Sequence, residues 1–430
     1  MSGERPTVVF LPRGSPGPIG HCTGIGGELL ERGARVVFVV DESFAGTLEA
    51  KGFEEALVPF PPPPQDPGPG KDFEKEIAPV LREPAFLQLK DFIEPTWGGL
   101  VAGAKSANAR LAEVFEELQP DVIVEDNLTA FPAIPASKTP WVRVVSSNPL
   151  EMKDPNLPPP YSGLATEERS GWVQFRMEYR ETLRRLQHDF SDFCREHCGL
   201  PLPEPEFMFE SPYLNLYVYP RELDYERSAP LGPTWHRLES CVREPTVPFE
   251  LPETLRGGEG KLIYLSLGPL GSADAQLMNR VVGLLANTRH RVVVNTGSPP
   301  GSIDLPDNMW GEESFPQASI LPQVDLVITN GGNGTVTECI HFGRPMLVLP
   351  LVWDQHDNAR RVKETLFGVQ LSAYGFSEME FYTGVDGLLS DSDLHAHLRE
   401  TAARLQTEPG TRRGADLILQ LASEKAPIVD

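Results

Sequence analysis

The sequence contains no apolar run of the length that a membrane-crossing helix needs, about 18 residues or more. None of secretory-signal length stands at its start, where Met1-Ser-Gly-Glu-Arg-Pro leads only into the short apolar stretch Val8 to Leu11. Positive charge is also scarce: 38 Lys and Arg stand against 61 Asp and Glu, a formal net charge of −23. Nucleic acid and anionic membranes are therefore not expected as partners, because both need concentrated cations. A local anion site stays open, since backbone amides at a helix N-terminus can bind an anion without net positive charge. Cysteine is sparse as well. Cys22, Cys194, Cys198, Cys241 and Cys339 are odd in number and scattered, and Cys194-His197-Cys198 has no second ligand pair. The expectation is reduced cysteines, no metal and a cytoplasmic protein.

Two nucleotide motifs are missing. Gly24-Ile-Gly26-Gly27 has Leu29 where a dinucleotide fingerprint needs its third glycine. Gly260-Lys261 is followed by Leu262 and has Leu255 in place of the first P-loop glycine. Neither an NAD site nor a P-loop is supported.

What is present is globular: 40% hydrophobic and 23% charged residues. At 430 residues the chain exceeds what one core usually organises, so two domains are expected. Val8–Leu11, Val36–Val40, Val122–Val124 and Val142–Val145 are short apolar runs, as strands covered on both faces require. A helix is expected over His21 to Arg32, with Gly33 past its end. The Pro-rich run from Phe60 to Gly70 reads as a stiff surface loop, and a long helix is expected from about Glu167 to Glu196. A second strand–helix alternation covers Leu262–Leu265, Arg291–Val294, Asp325–Thr329 and Pro345–Pro350. The boundary falls in Pro- and Gly-containing sequence near 236–258. The expected architecture is α/β: two Rossmann-like doubly wound sheets facing a cleft. Residues 1–240 form the first domain, 241–410 the second, and 411–430 a helix returning to the first.

The chemistry concentrates in Asp325-Leu-Val-Ile-Thr-Asn330-Gly331-Gly332-Asn333-Gly334-Thr335-Val-Thr-Glu338. A buried strand ends at Thr329, glycines permit close backbone approach, and a helix starting near Thr335 presents free amides to an anion. Glu338, one turn on, suits a ribose diol. Asp354 and Gln355, after the next strand, place a carboxylate and a carboxamide suited to sugar hydroxyls at the same rim.

Phe315-Pro316-Gln317, the Asn330–Glu338 segment, Gly343-Arg-Pro-Met and Trp353-Asp-Gln-His-Asp-Asn358-Ala359 together resemble the donor signature of the UDP-glycosyltransferase superfamily. The likeness is to its soluble bacterial, antibiotic or macrolide type and implies a GT-B fold. It covers nearly the whole chain and is densest from about 260 to 372. By resemblance, Phe315 stacks on the uracil while Gln317 and Ala318 read its edge. Gly332, Asn333, Gly334 and Thr335 hold the diphosphate, with Asn330 beside it. Glu338 binds the ribose, and Asp354 with Gln355 the sugar. The family inverts the anomeric centre, takes a UDP-sugar as co-substrate, and uses neither metal nor cofactor.

Three positions depart from the pattern. Pro18 occupies the place of the general-base histidine, and His21 comes three residues late. His21 is then either a base presented by a rebuilt turn or a helix-start histidine without chemistry. Asp126 matches the aspartate that steadies the imidazolium; it is alternatively the base itself or a capping carboxylate. Asn330 replaces a phosphate-contacting histidine, and Pro269 a hydroxyl residue that touches the donor. The resulting expectation is a hexosyltransferase, glucose foremost, acting on a hydroxyl of a small hydrophobic acceptor. The aromatic segments Phe86–Trp97 and Trp172–Tyr179 serve either as acceptor wall or as core. The alternative is a catalytically weak or inactive relative of the same GT-B fold that binds a nucleotide sugar, a partner subunit being one such role.

Overall fold

A computed structural model describes residues 5–60, 76–242, 248–297 and 303–429. The Pro-rich run beyond Phe60 and part of the interdomain boundary lie outside the described residues.

β1 (Thr7–Pro12), β2 (Arg35–Val40), β3 (Glu54–Leu57), β4 (Val122–Asp126), β5 (Trp141–Val145), β6 (Leu214–Tyr217) and β7 (Trp235–Arg237) form one sheet, in the order β3-β2-β1-β4-β5-β6-β7. A second sheet holds β8 (Leu262–Ser266), β9 (Arg291–Asn295), β10 (Met309–Glu312), β11 (Leu326–Thr329), β12 (Met346–Val348) and β13 (Gly368–Gln370), in the order β10-β9-β8-β11-β12-β13. Every pairing is parallel. Parallel strands need helices on both faces, hence their apolar runs; edge strand β3 is less apolar and carries Glu54, exposed, and Glu55, part-buried. Two doubly wound sheets and the neighbours described below make this the GT-B architecture.

Each sheet reverses strand order once, between β1 and β4 in the first and between β8 and β11 in the second. A crevice opens beyond the carboxyl ends at such a reversal. Here the two crevices face each other: Asn333, after β11, donates to the carbonyl of Ser146, after β5, at 2.8 Å.

Several elements begin away from the residues expected. The first helix is Pro16–Glu31, starting five residues early, because a proline is tolerated where the amide is free anyway. Pro18 and His21 consequently lie on the same helix. The glycine-turn helix is Asn333–His341 rather than starting at Thr335, and the long helix is Trp172–Cys198. The C-terminal helix, Gly410–Glu424, crosses back onto the first helix. Its Ala415, Ile418 and Leu421 share a core with Ile25 and Leu29. That crossing needs glycine at 410, where a Cβ would lie 1.7 Å from the Leu238 carbonyl oxygen.

Candidate active site

The glycine turn is built around two close approaches. Gly331 has φ +87, and a Cβ there would meet Val348 at 2.7 Å. Gly268, at φ +66 after β8, faces Asn330, whose amide nitrogen stands 2.7 Å from where a Cβ would be. Asn330 is buried and its Oδ1 accepts from the Gly332 amide at 3.4 Å. The carboxamide thus braces the turn. Pro269 follows directly, in the short helix Gly268–Ala273. The first amides of helix Asn333–His341 have no acceptor within the helix, as every α-helix start requires.

Beside this turn, Gln317 donates to Glu338 Oε2 at 2.5 Å and to Thr335 Oγ1 at 3.2 Å. Three of the residues expected to line the donor are thereby brought together. Burial pushes the Glu338 carboxyl up to about 7, with the Gln317 hydrogen bond pulling it down. Phe315 sits edge-on to Trp310 (5.0 Å) and Phe249 (5.7 Å), an aromatic nest next to Gln317 and Ala318.

Asp354 and Gln355 are turned towards protein groups. Asp354 Oδ2 accepts from the backbone N–H of Asn148, in the first domain, at 3.1 Å. Burial raises its carboxyl to about 6, against the Asn148 amide and the Arg13 guanidinium. Gln355 Oε1 accepts from Leu351 N–H at 3.0 Å and Val352 N–H at 3.3 Å, so its oxygen caps its own loop.

On the facing side, Asp126 ends β4 opposite Pro12 of β1. It is buried; Oδ1 accepts from Ser146 Oγ at 2.9 Å and Oδ2 has no partner. Burial raises its carboxyl to about 6, with Ser146 and then Arg13 opposing. His21 is buried too. Its Nδ1 lies 3.5 Å from the Cys241 carbonyl, and its unpartnered Nε2 points at Gly334, 3.7 Å from where a Cβ would be. Burial lowers it to about 4, so it is neutral at pH 7. The two side chains are not hydrogen-bonded to each other.

Residues 279–416 match the family model described as "Erythromycin biosynthesis protein CIII-like, C-terminal domain". Over 95% of the chain, it is 25% identical to 96% of the 4'-demethylrebeccamycin synthase of Lentzea aerocolonigenes. Among solved structures, the glycosyltransferase of kitacinnamycin superposes with TM-score 0.68 at 21% identity, covering 97% of this chain and 99% of that one. The spinosyn rhamnosyltransferase SpnG complexed with thymidine diphosphate superposes with TM-score 0.64 at 20% identity, covering 96% and 99%. These comparisons support the antibiotic branch of the UDP-glycosyltransferases for this chain. It is a glycosyltransferase of the antibiotic type.

In this transferase the turn at Trp353–Asp354 and the start of the helix Gln355–Glu364 also stitch the domains together, which the sequence did not signal. Asp357 accepts from the amides of Tyr161 (2.5 Å) and Gly163 (2.8 Å), and Asn358 accepts from Asn148 Nδ2 at 2.8 Å. His356 Nε2 lies 3.0 Å from Gln88 Oε1. Ser146, Asn148 and Tyr161 lacked any motif, because their importance comes from contacts across more than 180 residues of sequence. For Ser146 and Asn148 the one local hint was position, just beyond an apolar strand.

The aromatic segments converge on the same turn. Trp97 stacks on Phe207 at 4.3 Å and lies 5.9 Å from Trp353, which in turn is 4.8 Å from Tyr161. Phe86 meets Phe175 at 6.1 Å. Trp353 (φ +62) and Tyr161 (φ +67) both hold left-handed backbone, unusual for bulky residues and costing roughly 1–3 kcal/mol each. Cys194 and Cys198 are free thiols on the long helix, and among the described residues no group of three acidic, His or Cys side chains is arranged for a metal. No helix among them is long and apolar enough to cross a membrane.

Proposed function

We propose that this transferase moves a hexose, glucose foremost, from UDP to a hydroxyl of a small hydrophobic acceptor, with inversion and without metal. Asp126 is the general base. The observation that carries this is Asp126 Oδ2, buried and unpartnered at the β1/β4 reversal, on a carboxylate tied through Ser146 to the first residue of the glycine-turn helix. With its carboxyl at about 6, Asp126 is ionised at neutral pH and basic enough to take a proton. As the acceptor oxygen attacks the anomeric carbon, its proton passes to Oδ2. The bond to the β-phosphate oxygen breaks, and the electron pair leaves with UDP. The amides at the start of helix Asn333–His341 stabilise the charge that develops there. Phe315, Gln317, Ala318, Thr335 and Glu338 hold the nucleoside, and Asp354 with Gln355 the sugar. The thymidine diphosphate named for SpnG makes thymidine the second nucleotide to try.

The unpaired His21 and Asp126, with Pro18 in the histidine place, favour one other reading: a chain that binds the nucleotide sugar and turns it over poorly. Incubation with UDP-glucose, or thymidine-diphosphate sugars, and a panel of flavonoid, steroid and macrolide alcohols tests both. Acceptor-dependent nucleotide release with a hexose added to one compound supports the transfer proposed. Tight nucleotide binding without product across the panel favours the other reading.

A further inference from the structure

The glycine turn lacks a cation of its own: Asn330 stands where the superfamily places a phosphate-contacting histidine, and Pro269 where it places a hydroxyl residue that touches the donor. Amides alone then face roughly two negative charges of a nucleoside diphosphate. Across the cleft stands Arg13, immediately after β1. Its backbone N–H donates to the Asp126 carbonyl at 2.9 Å, fixing it at the strand reversal. From Asp126 the chain of contacts runs through Ser146 to Asn333, the first residue of the glycine-turn helix. Two residues beyond Ser146, Asn148 binds Asp354. Gly17, four residues after Arg13, has its Cα 3.6 Å from where a Cβ of Gly334 would lie. Arg13 therefore sits on the turn that abuts the donor helix.

Its side chain is half-buried and little used. Nε donates to Ser15 Oγ, two residues on, at a long 3.3 Å, and the Nη groups make no hydrogen bond or ion pair with the described residues. The guanidinium lies near enough to Asp126 and Asp354 to oppose the rise that burial imposes on both carboxyls. The other guanidinium acting on Asp126, that of Arg143, is buried within β5 and lies over the Trp235 ring at 5.5 Å. It is committed elsewhere.

We infer that Arg13 is the cationic contact for the donor diphosphate, supplied from the acceptor domain, with its fork of free N–H groups directed at phosphate oxygens. This rests on the proposed nucleotide-sugar reading. The domain that binds the acceptor thereby senses whether a diphosphate is present.

Calorimetric titration of the full chain with UDP, thymidine diphosphate and the two nucleosides tests it, on the unmodified protein, Arg13→Gln and Arg13→Lys. Arg13→Gln is expected to weaken the diphosphate by about tenfold or more while leaving the nucleoside within about twofold, and Arg13→Lys to recover part of the loss. Unchanged diphosphate affinity in Arg13→Gln overturns the inference. So does an equal loss for nucleoside and diphosphate, which signals general damage to the site. If the unmodified chain binds no nucleoside diphosphate, the functional reading falls first and this inference falls with it.

Discussion

Asn333 reaches across the domain boundary to the carbonyl of Ser146, at 2.8 Å, and also to that of Val218, at 3.3 Å. The first residue of the glycine-turn helix is thus bonded into the carboxyl edge of the first sheet. Replacing it with Ala leaves two buried carbonyls unpaired, a cost of about 1–3 kcal/mol. Asn333→Asp should be worse, since it aims a carboxylate at them. Thermal unfolding should show both losses in that order, and nucleotide affinity should fall with them.

Asp126→Asn should separate activity from stability. The variant keeps the shape and removes the base, so turnover should drop about 10²–10⁴-fold with little change in donor KM. In the unmodified protein, kcat/KM should fall as pH drops through about 6, where Asp126 protonates. The folded carboxyl, at about 6, lies above its ordinary 3.8, so the native state binds the proton more tightly than the unfolded one. Stability from this group is therefore lost as pH rises between those values. At pH 7 Asp126→Asn should be more stable, by on the order of 1–3 kcal/mol, and at pH 3 no more stable.

His21 gives the opposite sign. Its folded value, about 4, lies below the ordinary 6.5, so below pH 6.5 the unfolded chain gains a proton that the native state refuses. Acid weakens the fold through this residue between those two values. His21→Leu should gain in stability over the unmodified protein as pH falls across that interval, read as the difference in unfolding midpoints. Its turnover should stay within about tenfold if Asp126 is the base, as proposed. A loss of 10³ or more would transfer that role to His21.

Glu338 should make donor binding pH-dependent. With its carboxyl at about 7, the ionised form that accepts from a ribose diol is depleted below neutrality. Donor KM should rise as pH falls from 8 to 6, and Glu338→Gln should flatten that dependence while raising KM throughout.

The part of this protein that could be read from the amino-acid order is the part built from short-range pattern. Apolar runs such as Val36–Val40 and Leu326–Thr329 are buried on both faces and so specify parallel strands wherever they occur. Asn330–Glu338 combines a strand end, glycines and a helix start, which together make an anion cradle irrespective of the rest of the chain. Pairing across the cleft is different. Nothing near Asn148 or Tyr161 in sequence announces Asp354 or Asp357, because those bonds exist only once two sheets have been brought crevice to crevice. The helix start at Pro16 likewise placed His21 against Gly334 with no hydrogen bond to Asp126, an outcome that spacing alone does not resolve. Local backbone preference decided the elements and the donor turn. Which side chains meet across the cleft, and which carboxylate is left buried without a partner, was decided by tertiary packing, since burial and desolvation are properties of the assembled fold.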